Sequence, residues 1–566
     1  MSLIKKSQDP KPELFFGLVA AIGTDLKLVA EMLEEVLTDA KYSCELIKLS
    51  ELLDAESPKD AYDRYMERMS AGTKLRKELN RGDAVVLMGV GDVWARRRVL
   101  NQSESQKYQA PSVVPGTAYI FNQLKHPDEV ATLRKTYGNS FFLIAGYSPR
   151  EHRVKHLSDL IARSKNQMKS DSYRSLAEKL IEKDKNEEGE KLGQRVQDTF
   201  PEADVFINVD SRESVKSSVT RFIESLFGYP FHTPTRDEFS MFQARAAALR
   251  SSDLGRQVGA VISTPAGEIV SVGTNEVPKA GGGQYWDGDD PDLRDFKRGQ
   301  DSNAEVKKNF LRDLLQRLSD NQGWLNPEKT PEDIDQLVED TFSKEKSFLS
   351  AAQLMSLIAY FRAVHAEMSC LMDAARRGVQ TAGNTLICTT FPCHECARHI
   401  VAAGVSRVVY IDPYPKSLTP DLYPDSIVVD PVEHSKTHVS FESFVGIAPR
   451  LYLSLFDASK IERKKENGAV VKWQIADSRP RLSEDPKSYL TRESFLQNTM
   501  NDYFESKERM TEGGSASHEK EGSGASRIQK GGRSSKKSSS LDARTRATSN
   551  KGSKGKINKR SGRKDN

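Results

Sequence analysis

The chain has 566 residues, with 84 Lys/Arg against 80 Asp/Glu and a net charge of +4. That length supports two or three cores. Its apolar runs fall far below membrane-spanning length, and five cysteines in so long a chain exclude a disulfide framework. The opening "MSLIKKSQDPKPELFFGLVAAIG" has charges and then a short apolar run, not a secretory pattern, so a reducing cytoplasm is the expected compartment. Charge is unevenly placed: residues 527–566 carry 14 Lys/Arg and 2 Asp/Glu, about +12, leaving the preceding 526 near −8.

Residues 12–228 alternate strand-like and helix-like segments. "ELFFGLVAA" predicts a first strand and "DLKLVAEMLEEVL" a helix. "YSCELIKLS" predicts a second strand, followed by the long helix "DAYDRYMERMSAGTKLRKELN". "DAVVLMGVG", "TAYIFNQL" and "SFFLIAGYS" predict strands three to five, with "HPDEVATLRKTYG" helical before the last. "DVFINV" and the helix "SVKSSVTRFIESLFG" close the region. Apolar β runs separated by helices imply a parallel sheet covered on both faces.

Residues 229–475 change character. "FSMFQARAAALRSSD" predicts a helix, and "QVGAVISTPAGEIVSVGTNE" two strands joined by a Pro-Ala-Gly turn. Residues 284–350 are polar, with helical patches such as "VKKNFLRDLLQRLSD", and read as an insertion. "AAQLMSLIAYFRAV" and "AEMSCLMDAARRG" then predict helices, "NTLICTT" a strand, "CHECARHIVAAG" a helix and "SRVVYID" a strand. Residues 476–566 form an extension that turns rich in Gly, Ser and Lys from about 506, where disorder is expected.

Chemistry concentrates in two short stretches. "FPCHEC" holds Cys393 and Cys396 at C-x-x-C spacing, and "VHAEMSC" holds His365 and Glu367. A C-x-x-C pair by itself serves redox, structural-zinc or catalytic roles. A redox pair has no use for a His-Ala-Glu at the head of the preceding helix. A structural site calls for a fourth protein ligand. His394 lies inside the turn, and Cys370 and Cys388 read as small buried hydrophobes. The remaining reading is one imidazole and two thiolates on Zn²⁺, with the fourth position left for water of lowered pKa. Glu367, two residues from a ligand, is placed to carry protons. Cys393 and Cys396 start a helix whose dipole favours thiolates, with Pro392 setting its entry.

H-x-E…P-C-x-x-C is the zinc-deaminase pattern, and residues 235 to about 425 resemble the cytidine deaminase superfamily, more narrowly the deoxycytidylate deaminases. "RQVGAVI" resembles their first strand, and "GTNEVP" the second strand and the loop whose asparagine contacts the sugar hydroxyl, here Asn275. The resemblance implies a mixed five-stranded sheet in a three-layer α/β/α domain, with zinc at the starts of two adjacent helices. Many deoxycytidylate deaminases have Asn two residues after the glutamate; this chain has Ser369.

"GLVAAIGTD" occupies the position of a phosphate-binding loop between strand and helix, with Gly17, Gly23 and Thr24 as candidate nucleotide contacts. The spacing departs from the P-loop pattern, its lysine is missing, and Asp25 repels phosphate. The surrounding segments, with Arg150 and Arg153 after the fifth strand, resemble nucleoside monophosphate kinases with a degenerate loop: binding is expected, phosphoryl transfer is not. A kinase-like domain, then "NEVPKAGGGQYW", then the deaminase core is the layout of the bacterial anti-phage dCTP deaminases. That resemblance implies conversion of dCTP and dCMP to uracil nucleotides during infection, in a homo-oligomer. Some members of the family are held inactive by a small RNA. Two other functions stay open: an RNA or single-stranded DNA deaminase, mildly favoured by the basic tail, and a nucleotide- or RNA-sensing regulator without turnover.

Overall fold

The computed structural model describes residues 10–56, 58–101, 111–187, 189–321, 334–343, 349, 352–414, 417–431 and 437–518. The basic segment 527–566, expected to be disordered, lies outside them. Strand β1 (Leu14–Ala20) is buried along its whole length. It sits at the centre of the first sheet with β2 (Ser43–Lys48), β3 (Thr117–Asn122), β4 (Phe141–Tyr147) and β5 (Val205–Asn208). The order across these five is 2-3-1-4-5, all parallel. Continuous apolar strands are what a sheet covered on both faces requires. Helices Leu26–Asp39 and Arg212–Leu226 cover one face with an apolar cluster around Phe16, Leu33 and Phe222.

The second sheet is mixed. It contains β6 (Gly259–Ser263), β7 (Ile269–Thr274), β8 (Thr385–Thr390), β9 (Arg407–Asp412), β10 (Ile427–Val429) and β11 (Val439–Ser443), in the order 10-11-9-8-6-7. Its β8, β9, β11 and β10 run parallel, while β6 is antiparallel to both β7 and β8. The sheet thus has six strands where five were expected. A further strand, β12 (Gly446–Ile447), leaves this sequence region and pairs antiparallel with β5 of the first sheet.

Three expectations are corrected. "DAVVLMGVG" is not a strand but the first half of a helix, Ala84–Leu100. Val85, Val86, Leu87, Val90, Val93 and Trp94 are all buried there. A helix buried on every side shows no amphipathic period, so its short apolar stretch is indistinguishable from a core strand. "AAQLMSLIAYFRAV" is not an α-helix: it holds only the 3₁₀ turn Gln353–Ser356. Its end is pulled out straight by antiparallel pairing of Val364 with Glu276, at 3.1 and 3.3 Å. Disorder from about 506 is overturned as far as His518, where the helix Pro486–His518 ends.

Met1–Glu505 form one compact unit containing both sheets. Several buried charges tie it together. The Glu238 carboxylate accepts from Thr235 N, Ile447 N and the Arg221 guanidinium, all within 2.8 Å. Asp430 accepts from Ser443 N at 3.2 Å and bonds the hydroxyl of Tyr147, in the first sheet. Arg97 is fully buried between Glu13 and Glu493, at 2.8 and 2.6 Å, and Trp94 Nε1 also donates to Glu493. Without Glu493, Arg97 keeps its pair with Glu13, but Arg97 Nη1 and Trp94 Nε1 lose their buried acceptor. Glu493→Ala is therefore expected to cost about 1–3 kcal/mol for each orphaned donor, read as a lowered guanidinium midpoint of the full chain, with Glu493→Gln less affected.

Candidate metal centre and active site

Two helices begin at the same place. His365 is the N-cap residue of helix Ala366–Arg377, and its side chain makes no capping bond, so the ring remains available. Cys393 is the N-cap of helix His394–Ala402, and its sulfur accepts from Cys396 N at 3.4 Å. Close packing on the sheet makes the convergence feasible. A Cβ on Gly273 in β7 would lie 2.2 Å from Ala366 O and 2.5 Å from Cys370 N. Glycine there lets the first helix rest directly on the strand. The Pro392 carbonyl, just before the second helix, accepts from Ser417 Oγ at 2.9 Å and Thr419 Oγ1 at 3.3 Å.

The donor atoms come together as the spacing predicts. His365 Nδ1 lies 3.3 Å from Cys393 Sγ and 3.4 Å from Cys396 Sγ. Tetrahedral zinc with ordinary Zn–N and Zn–S bonds requires about 3.6 Å between such donors, so the three residues fit the ion. Among the described residues this is the one group of His, Cys, Asp or Glu close enough to hold a metal. His394 is not part of it. Cys370 and Cys388 are fully buried, and burial pushes the Cys370 thiol up to about 12 and the Cys388 thiol well above its ordinary range, in keeping with packing roles.

Protons in the cluster are shared unevenly. The hydrogen bond from Cys396, reinforced by His365, holds Cys393 down at about 4, while Cys396 is pushed well up. Burial opposes charge on His365, yet its bond to Cys393 and the neighbouring negative charges lift it to about 9. Glu367 is 4% exposed. Burial, with the Cys393 charge adding to it, raises its carboxyl to about 7. A carboxyl near neutrality can both take and give a proton at working pH. Its Oε2 accepts from Cys396 Sγ at 3.7 Å.

Glu367 and His365 open onto a cavity of about 300 Å³ that Asn275 also lines. The Asn275 amide is committed to the protein: Oδ1 accepts from Val258 N and Nδ2 donates to Arg256 O, both at 2.8 Å. It clamps the backbone on either side of Gln257. Thr390, Phe391 and Tyr414 form one wall, and Asp295, Asp301 and Phe361 come from the inserted segment and its sequel. These wall residues escaped the sequence reading, because no local pattern ties residues 295–361 to Cys393.

The loop candidates of the first sheet lie elsewhere. Gly17 is not in the β1–helix loop: it is inside β1, where a Cβ would meet Leu124 and Phe141 at 2.8 and 2.9 Å. It is a packing glycine. Gly23 does sit in the loop, in the left-handed region at φ +90°, with its Cα against Arg153. Thr24 Oγ1 is buried there without a hydrogen-bond partner. The loop's Ile22 N–H donates to Asp184 Oδ2 at 2.8 Å, and Lys125 Nζ reaches the same carboxylate at 2.6 Å.

Residues 234–412 match the family model described as the cytidine and deoxycytidylate deaminase zinc-binding region. This segment is a cytidine/deoxycytidylate deaminase domain. Zinc is accordingly the metal of the His365–Cys393–Cys396 cluster. The deoxycytidylate deaminase of Enterobacteria phage T2 is 37% identical over 54 residues, 10% of this chain and 29% of the phage protein. ComE operon protein 2 of Bacillus subtilis is 36% identical over 53 residues, 9% of this chain and 28% of that protein. The chain thus spans less than a third of the length of these curated relatives. The solved dCMP deaminase from cyanophage S-TIM5, in complex with dCMP and dUMP, is 19% identical, with a TM-score of 0.21, over 38% of this chain and all of that one. Among the described residues no helix is long and apolar enough to cross a membrane.

Purified wild type is expected to carry one zinc per chain by elemental analysis. Cys393→Ala and Cys396→Ala should lose it, and Glu367→Gln should keep it, because its carboxylate is not a ligand.

Proposed function

We propose that the chain is a zinc-dependent hydrolytic deaminase of deoxycytidine nucleotides, converting dCMP or dCTP to the uracil nucleotide and ammonia. The observation that carries this reading is the placement of Glu367: a buried carboxyl two residues from His365, beside a His-Cys-Cys cluster that can hold zinc and lining the same cavity. Zinc in the cluster supplies Lewis acidity, bringing the pKa of a bound water towards about 7.

The protein's own groups do the rest. Hydrolysis at C4 of cytosine forms a C–O bond and breaks the C–N bond to the amino group. It needs a proton removed from water, one placed on the ring nitrogen and one delivered to the departing amine. Glu367 can serve all three transfers in turn, being a base when ionised and an acid when protonated. Asn275 holds the cavity's edge, where its remaining amide hydrogen can meet a sugar hydroxyl. Phe391 and Tyr414 provide apolar and aromatic surface for a planar base.

The wider reading is that this activity depletes cytosine nucleotides during phage infection, in a cytoplasmic homo-oligomer restrained by a small RNA. It rests on the two-domain layout. The 2-3-1-4-5 parallel order and the left-handed Gly23 support a nucleotide-kinase-like first half that binds nucleotide at Gly23 and Thr24. Asp184 on the loop amide, with no loop lysine, disfavours phosphoryl transfer.

The wild-type chain is expected to release uracil nucleotide from dCMP or dCTP, followed by chromatography. Glu367→Ala should lose at least about 10²–10⁴ of that rate while keeping its zinc. Zinc-loaded wild type that leaves both nucleotides unchanged and deaminates a cytosine-bearing oligonucleotide would replace this reading with a polynucleotide deaminase.

A further inference from the structure

Away from the cavity, residues 460–472 form an arm outside the hydrophobic clusters. Val471 N donates to Arg463 O at 3.1 Å and Lys465 N to Ala469 O at 2.8 Å, which pairs Lys464 with Val470 in a two-stranded antiparallel ribbon. A tight turn closes it. Gly468 takes the left-handed conformation at φ +81° and donates its N–H to Lys465 O at 2.9 Å, and Asn467 Oδ1 accepts from Ala469 N at 3.1 Å. Residues 462–470 are all exposed, Val470 at 64%. Both feet are fixed: Arg481 bonds the carbonyls of Leu455 and Asp457, and Trp473 packs edge-on against Tyr229 with 5.2 Å between centroids. A two-stranded hairpin by itself is marginal in water, and this one buries no apolar surface at its tip. Packing within the fold does not explain it.

Its charge points to a partner. The arm holds Lys460, Arg463, Lys464, Lys465 and Lys472 against Glu462 and Glu466, a net +3, while the residues before 527 sum to about −8. Lys460 lies near Asp457. Arg463, Lys464, Lys465 and Lys472 form no ion pair with a carboxylate among the described residues. Alternation about the Lys464–Val470 pair puts Arg463 and Lys465 on one face, across from Val471 and Ala469, and Glu462, Lys464 and Lys472 on the other. Glu466 stands in the turn. One face of the ribbon therefore carries two cations and no carboxylate.

Shape narrows the class of polyanion. Two strands about 4.8 Å apart make a ribbon that the major groove of B-form DNA, about 12 Å wide, admits. The major groove of an RNA duplex is deep and narrow. Single strands are held largely by aromatic stacking, and residues 460–472 include no aromatic. The segment 527–566, with 14 Lys/Arg and 2 Asp/Glu, gives the same chain a second element suited to phosphates.

We infer that the ribbon is a docking surface for double-stranded DNA, bound without sequence preference through phosphates that Arg463 and Lys465 grip. The inference is independent of the deaminase reading, because the ribbon lines no part of the cavity.

The test measures equilibrium binding of the full zinc-loaded chain to a short mixed-sequence DNA duplex by fluorescence anisotropy, over a series of salt concentrations. Wild type is compared with Arg463→Ala/Lys465→Ala and with Lys464→Ala/Lys472→Ala, and zinc content and the guanidinium midpoint show that each variant is folded. The Arg463/Lys465 double substitution is expected to weaken binding at least about tenfold. It should also lower the slope of log affinity against log salt by about 2, since each phosphate contact contributes about 0.9. The Lys464/Lys472 double substitution should lose less. No binding by wild type, an unchanged slope in the first variant, or equal losses in the two overturns the assignment. So does a wild type that binds an RNA duplex or a single strand of the same sequence as tightly as the DNA duplex. Tighter binding to phosphatidylserine vesicles than to DNA, lost in the first variant, would replace DNA with an anionic membrane surface.

Discussion

Everything at the site depends on two helices starting within one metal's reach. An N-cap residue has extended backbone, so its side chain leaves the helix end instead of lying along it. His365 and Cys393 are both N-caps, and Cys396 lies one turn into the second helix. The backbone alone thereby aims three donors at one point. The cost falls on the sheet, which must let a helix end come into van der Waals contact with a strand; Gly273 is where that cost is met. The pairing of Val364 with Glu276 delivers the chain to His365 in the extended form the cap requires.

Burial then gives the site its electrostatics. The cluster is bedded on Cys370, Cys388, Phe391 and Ala397, with the sheet behind. In such surroundings a lone carboxylate is disfavoured, and the negative charge of Cys393 presses in the same direction. That is why the Glu367 carboxyl is raised to about 7. Asp295, Asp301, Ile358, Phe361 and Ala363 complete the wall.

The first sheet contributes to this arrangement by support. Asp430 reaches Tyr147 of the first sheet from the end of β10, and within the second region Arg407 of β9 pairs with Asp237 at 2.8 Å. Phe391 packs edge-on against Tyr410 of β9, with 4.8 Å between centroids, so the wall beside the cysteines stands on the strand next to these ties. β12 returns to the edge of the first sheet. The chain thus crosses between sheets more than once, and the segment that carries His365 and Cys393 is not a detachable bead.

The metal ligands, Glu367 and most of the strands were legible in the sequence because each depends on short-range pattern. H-x-E and P-C-x-x-C state ligand spacing and helix starts directly, and apolar β-branched runs bounded by turns state strands. Asn275 was expected from its motif as a substrate contact; its clamp on Arg256 and Val258 was not legible, since those bonds span 19 and 17 residues. The start of helix Ala84–Leu100 was misread because burial of nearly every residue in its first half erases periodicity, and residues 351–364 because pairing with Glu276 overrides local helical preference. Gly17 resembled a loop glycine and proved to be a packing one inside β1. Sequence alone determined which three residues could hold a metal and which carboxyl stands beside them. Only the tertiary structure decided what surrounds them, because the cavity walls come from segments up to 161 positions apart, Asp253 to Tyr414, brought together by sheet pairing and burial.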